Sequence, residues 1–278
     1  MAEPLPISFL TDYGLQDEFV AVCKGVMLQI VADARVLDVT HDIEPGNIRA
    51  GALAYLRAIQ YLPVGVHLGV VDPGVGTDRR AIALRSVDES GTRYFVGPDN
   101  GVLSPALAIC GGACEAVLLD PSRWGVERTS TTFHGRDVFA PAAGALAGGV
   151  SLAELGTPVS PSELVPLILP LSRLVEETIH GMIFWVDRFG NAQTNIPGED
   201  LAVLGVEVGM ELLVQMGEAR QRFPFVETFG DIEKGQPLAY VDSSGQLAFA
   251  VHRGNAAEEF ALQEGAAVAV ASAPLRLL

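Results

Sequence analysis

The chain has 278 residues, 49% of them apolar and only 19% charged, which supplies a large buried core and excludes a disordered or fibrous chain. A formal charge of −16 argues against nucleic acid or an anionic membrane as partner and leaves neutral or cationic small ligands as the compatible class. Three scattered cysteines (Cys23, Cys110, Cys114) and five dispersed histidines provide neither a disulfide framework nor a metal-ligand cluster, so no metal is expected. The N-terminus lacks the basic region and apolar core of a signal peptide, and no apolar run is long enough to span a bilayer. The expectation is a cytoplasmic protein.

Ile7 to Leu10 reads as a short apolar strand that ends in Thr11-Asp12-Tyr13-Gly14. Asp17 to Asp33 carries Phe19, Val20, Val22, Cys23, Val26, Met27 and Ile30 at helical spacing, so the pattern switches from strand to amphipathic helix across a turn with an acid at its apex. Val36 to Val39 predicts a second strand closing on Thr40-His41-Asp42, and Asn47 to Tyr61 a second helix. The Val66 to Val71 strand then runs into Asp72-Pro73-Gly74, with Arg79 seven residues beyond the carboxylate. Ligands of open α/β sheets sit outside the carboxyl ends of the strands, so an acid delivered there is placed for chemistry. Further strands are predicted at Ala81 to Arg85, Tyr94 to Val96 (running into Gly97-Pro98-Asp99-Asn100-Gly101) and Ala116 to Leu119. Thr131-Thr132-Phe133-His134-Gly135-Arg136-Asp137 precedes an Ala/Gly-rich helix from about Val138 to Ala147.

Strand and helix alternating at this spacing predict a mostly parallel sheet flanked by helices over residues 1–155, with its polar turns gathered at one edge. Four prolines (Pro158, Pro161, Pro166, Pro170) mark residues 156–176 as a connection. Over 177–278 the pattern is strand-like at Met182 to Val186, Glu211 to Gln215, Ala239 to Val241, Leu247 to Val251 and Ala266 to Ala271, which predicts a smaller antiparallel, β-barrel-like domain.

Most familiar chemistries are absent from this pattern. Pro73-Gly74-Val75-Gly76-Thr77 lacks the Gly-Lys-Ser/Thr ending of a phosphate loop, and no Gly-x-Ser-x-Gly elbow occurs. An Asp, Arg and His constellation remains, without a covalent nucleophile. Taken singly, each member has a plain structural alternative: Asp72 as a turn cap paired with Arg79, His134 as a helix N-terminal residue, Asp12 as an Asx-turn residue.

Their order along the chain is more specific. Phe9-Leu10-Thr11-Asp12-Tyr13-Gly14, Asp38-Val39-Thr40-His41-Asp42-Ile43, Val70 to Thr77, Gly97-Pro98-Asp99-Asn100-Gly101 and Thr132-Phe133-His134-Gly135-Arg136-Asp137 together resemble the S-adenosyl-L-methionine hydroxide adenosyltransferase family. Asp187-Arg188-Phe189-Gly190-Asn191, Ser243-Ser244-Gly245 and Gly254-Asn255-Ala256-Ala257 continue the resemblance into the second domain, so it covers essentially the whole chain.

The resemblance implies an α/β N-terminal domain, a β-barrel-like C-terminal domain, and a homotrimer whose active sites lie between subunits. It implies hydrolysis of S-adenosyl-L-methionine to adenosine and L-methionine, the substrate being no cofactor. The family's catalytic Asp, Arg and His fall on Asp72, Arg79 and His134. Ribose recognition falls on Asp12, and contacts to the methionine end on Asp17, Asp187 and Ser243. Adenine contacts fall on Asn191 and near Asn255 and Ala256, with Phe189 and Phe229 as further substrate-binding residues. Two alternatives stand beside hydrolysis: halide-dependent adenosyl transfer, as in the fluorinating and chlorinating relatives, and a non-catalytic sensor of S-adenosylmethionine or adenosine.

Overall fold

The computed structural model describes residues 3–124 and 130–273. The chain divides into two compact units, Met1–Ile168 and Leu169–Leu278. In the first, β1 (Ile7–Thr11), α1 (Phe19–Ile30), β2 (Val36–Thr40), α2 (Ile48–Ile59) and β3 (Val66–Val70) alternate as the sequence predicts. They are followed by β4 (Ala81–Asp88), β5 (Gly91–Pro98), α3 (Ser104–Ile109), β6 (Glu115–Leu119), α4 (Ala140–Ala147) and β7 (Gly156–Pro158).

The sheet runs β2-β1-β3-β5-β4-β6-β7. Its first four strands are parallel, whereas β4, β6 and β7 pair antiparallel, so the parallel character is confined to one half. Every residue of β1 and β3 is buried, as expected of central strands covered on both faces. One face packs Phe9, Val20, Met27, Leu68, Phe139 and Leu146 around α1 and α4; the other packs Leu10, Tyr55, Ile59, Phe95 and Leu103 around α2 and α3. The proline-rich stretch contributes to this unit as well. β7 is the edge strand and takes Pro158 where a missing N–H costs no ladder bond.

One topological detail positions the site. The β3–β4 connection crosses the end of β5, which pairs with both strands. Residues 71–80 therefore lie over the carboxyl ends of β3 and β5, beside the turn that follows β1.

The second unit comprises β8 (Arg173–Val175), β9 (Thr178–Val186), β10 (Ala192–Pro197), β11 (Glu211–Met216), β12 (Ala219–Pro224), β13 (Pro237–Val241), β14 (Gln246–Val251), the short α5 (Ala256–Glu259) and β15 (Ala267–Ser272). The order β12-β11-β15-β9-β10-β14-β13 is antiparallel throughout. A bridge between Phe225, just past β12, and Ala239 of β13 brings its two ends together into a nearly closed barrel. Ile183, Leu212, Phe223, Phe249 and Val270 fill its interior.

Candidate active site

Asp72, Arg79 and His134 meet in one hydrogen-bonded set. Arg79 Nε donates to Asp72 Oδ1 at 3.0 Å and Nη2 donates to Asp72 Oδ2, a bidentate pair with both side chains buried. The same Nη2 donates to His134 Nδ1 at 3.0 Å. A guanidinium has no acceptor, so Nδ1 carries the lone pair and the neutral imidazole holds its proton on Nε2. The Arg79 guanidinium lies 5.2 Å from the centre of the Phe139 ring, and its Nη1 is buried without a hydrogen-bond partner.

The loop geometry behind this set is local. Gly76 turns the 72–79 loop at φ +80° and approaches Thr131 O so closely that a Cβ would lie 3.1 Å from it. His134 immediately precedes a π-helical turn, Gly135–Phe139, that leads into α4. The sequence predicts this helix only from Val138, because periodicity does not register a single wide turn. The neighbouring Arg80 goes elsewhere, pairing with Asp99 at the end of β5. The seven-residue spacing thus selects the arginine that reaches Asp72.

Asp12 sits at the end of β1, its Oδ2 accepting from Gly46 N at 2.8 Å. Burial raises its carboxyl above the usual range, the Gly46 N–H acts in the opposite sense, and the Asp72 charge adds to the rise. Tyr13, which sequence reasoning passed over, joins the two loops. Its hydroxyl packs so tightly on Gly135 that a Cβ there would lie 2.2 Å away. Its ring meets Phe19 and Phe133 edge-on at 6.0 and 5.9 Å. Its only sequence signal is adjacency to Asp12. Asp17 lies exposed in the bend before α1.

In the second unit, Asp187 organises its own turn. Oδ1 accepts from Phe189 N (2.8 Å) and Asn191 N (2.9 Å), and Oδ2 from the Asn191 side chain (2.8 Å). Gly190, at φ +82°, lies against Asn255, whose own side chain caps α5 at Glu258 N. Ala257 N donates to Gly190 O at 3.0 Å, so the Asn191 and Asn255-Ala256 loops form one ledge. Phe229 packs on Tyr240 with ring centres 4.9 Å apart. Burial pushes the Tyr240 hydroxyl up to about 12, with Asp242 and Asp187 adding to the rise, which puts these acids near the same ring. Ser243 follows Asp242 in the exposed turn between β13 and β14, and Phe189 is largely exposed. The first unit thus gathers Asp12, Asp72, Arg79 and His134; the second gathers Asp187, Asn191, Phe229, Asn255 and Ala256.

Among the described residues, no group of three or more His, Cys, Asp and Glu side chains converges as a metal site, and no helix is long and apolar enough to cross a membrane. A separate cavity of about 220 Å³, lined by Leu103, Leu107, Leu164 and Val165, borders Asp99.

This fold, with an acid–arginine–histidine set over the parallel strands, has close relatives. Residues 7–156 match the SAM hydroxide adenosyltransferase N-terminal domain and residues 181–269 the C-terminal domain of the same family. The chain belongs to the SAM hydroxide adenosyltransferase family. It is 46% identical to an (R)-S-adenosyl-L-methionine hydrolase of Salinispora tropica, over 94% of this chain and 96% of the relative. It is 41% identical to one of Thermus thermophilus, over 98% and 99%. A fluorinase of Actinopolyspora mzabensis is 30% identical over 95% and 96%. The crystal structure of a conserved protein of Thermotoga maritima superposes with a TM-score of 0.87 at 35% identity, covering 95% of this chain and 99% of that one.

Proposed function

We propose that this protein hydrolyses S-adenosyl-L-methionine to adenosine and L-methionine, with water attacking the ribose C5′ carbon in line with the C5′–S bond. The O–C5′ bond forms as the C5′–S bond breaks, the electron pair stays on sulfur, and the water surrenders one proton. The sulfonium leaves as a neutral thioether, so no general acid is required for it. The demand falls on the nucleophile, which must be held and relieved of its proton.

The observation that carries this proposal is the bidentate Asp72–Arg79 pair with His134 on the same guanidinium nitrogen. Arg79 accepts nothing, and neutral His134 has its one lone pair committed to Arg79. Asp72 is the member with acceptor capacity left for the proton of water. Arg79 and the Nε2–H of His134 serve as donors to developing hydroxide. A carboxylate in this position also disfavours a halide, which supports water over fluoride or chloride as nucleophile.

Asp12 takes the ribose hydroxyls; Asp17, Asp187 and Ser243 the methionine end; Asn191, Asn255, Ala256, Phe189 and Phe229 the nucleoside. In this proposal the protein is a cytoplasmic homotrimer whose active sites are completed between subunits. The test is incubation with S-adenosylmethionine in ordinary and halide-rich buffer, with chromatography of the nucleosides. Adenosine and methionine in both buffers is the expected result. A 5′-halo-5′-deoxyadenosine would reassign the chain to halide transfer, and binding without product would leave a sensor.

A further inference from the structure

Behind Asp12 runs a second polar chain that the proposed chemistry does not use. Lys24 Nζ donates to Asp38 Oδ2 at 2.6 Å, His41 Nε2 contacts Asp38 Oδ1 at 3.0 Å, and His41 Nδ1 contacts Thr11 Oγ1 at 2.9 Å. Thr11 Oγ1 in turn accepts from Tyr13 N at 3.2 Å, and Gly14 N donates to His41 O at 2.7 Å. Thr11 is fully buried and His41 is 3% exposed.

The chemistry gives this chain a direction. The Asp38 carboxylate only accepts, so His41 Nε2 donates to it; a ring carrying its one proton there accepts at Nδ1, where the Thr11 hydroxyl donates. That leaves the Thr11 lone pairs for Tyr13 N–H. Burial works to raise the Asp38 carboxyl, but the Lys24 and His41 donors prevail and hold it below its ordinary range, in keeping with an ionised acceptor.

Hydroxyl, imidazole and carboxylate in this order are the parts of a nucleophilic triad. Here the hydroxyl is sealed from solvent and occupied by a backbone N–H, so it attacks nothing. A register shift between β1 and β2, where Phe9 pairs with Asp38 and Leu10 with Thr40, accommodates an extra residue at Val39 just where Asp38 and His41 must both turn toward β1.

We propose that Thr11, His41 and Asp38, anchored by Lys24, are positioning residues that set the Asp12–Tyr13 peptide and so aim the Asp12 carboxylate at the substrate ribose. This rests on the role proposed above for Asp12. The same peptide carries Tyr13, whose hydroxyl abuts Gly135.

The experiment compares Thr11→Val, which keeps the shape and removes both hydrogen bonds, with Thr11→Ser, which keeps them. Thr11→Val is expected to raise KM for S-adenosylmethionine by about tenfold or more while kcat stays within about threefold, and Thr11→Ser to restore the wild-type KM. Preference for the substrate over its 2′-deoxy analogue should fall in Thr11→Val alone. An unchanged KM and preference in folded Thr11→Val overturns the relay. Should Thr11→Val not fold, Asp38→Ala, at a partly exposed position, is expected to raise KM by about threefold; an unchanged value again overturns it. Imidazole nitrogen shifts from NMR read the relay without turnover: a neutral Nε2–H tautomer at His41 is expected, and an Nδ1–H tautomer refutes the direction assigned here. A wild-type protein that forms no adenosine would instead refute the hydrolase proposal.

Discussion

Arg79 Nη2 donates to His134 Nδ1 across 55 residues of chain, at 3.0 Å. That contact ties the turn after β3 to the π-helical turn before α4 and settles which imidazole nitrogen carries the proton. Arg79→Lys keeps the charge but cannot form the fork to Asp72 and reach His134 as well. Turnover of S-adenosylmethionine should fall by about 100-fold, and replacement by alanine, which strands a buried carboxylate, should destabilise the fold by about 3–5 kcal/mol in urea unfolding.

Asp72→Asn retains the shape and removes the proposed proton acceptor. Adenosine affinity, measured by calorimetry, should stay within about threefold while adenosine formation drops by about 1,000-fold or more, as a general base contributes about 10²–10⁴. Undiminished turnover would remove Asp72 from its role.

Gly135→Ala places a methyl group 2.2 Å from the Tyr13 hydroxyl. Overpacking of this kind costs about 1–3 kcal/mol, and the displaced Tyr13 should carry Asp12 with it, raising KM. Tyr13→Phe in the same chain removes the nearest atom and should recover part of both losses. A double-mutant cycle without coupling would refute the contact.

His67 is buried between β1 and β5, its Nδ1 within 2.7 Å of Ser8 Oγ. Burial, with Arg93 nearby, lowers its pKa from 6.5 to about 3. Between those values the unfolded chain binds a proton that the folded chain refuses, so stability is lost as pH falls from 6.5 toward 3, at up to about 1.4 kcal/mol per pH unit. Unfolding followed across this range should show a shallower slope for His67→Gln than for wild type. Equal slopes would exclude His67 as the source.

Gly190→Ala sets a Cβ 1.8 Å from the Asn255 side chain in a left-handed backbone conformation. The variant should lose about 1–3 kcal/mol of stability and bind adenosine about tenfold more weakly, because the Asn191 and Asn255 loops can no longer share one ledge. Calorimetry with adenosine checks this directly.

The elements that stand in the sequence are those whose cause is local. β1 and β3 are apolar runs ended by Thr11-Asp12 and Asp72-Pro73, and α2 opens on Asn47, whose side chain caps Ala50 N. The acids at the strand ends and the spacing of Asp72 to Arg79 follow from the same local pattern. What stayed hidden depends on partners distant in the chain. β10 reads as Ala-Gln-Thr-Asn-Ile-Pro, too polar for a core strand, yet Thr194 is buried because its hydroxyl donates to Leu247 O, and Asn195 because it donates to Pro170 O. β12, with Arg220 and Arg222, pairs with β11 at the end of the sheet order, where long cationic side chains reach solvent. Likewise Thr11, His41 and Asp38 are an ordinary strand end and an ordinary turn until β1 and β2 pair. Chain order could place an acid at a turn and, for Asp72, name the arginine seven residues on; for partners distant in the chain, such as Arg79 and His134 or His41 and Thr11, only tertiary pairing could decide which donor and acceptor would meet, since a hydrogen bond acts over about 3 Å.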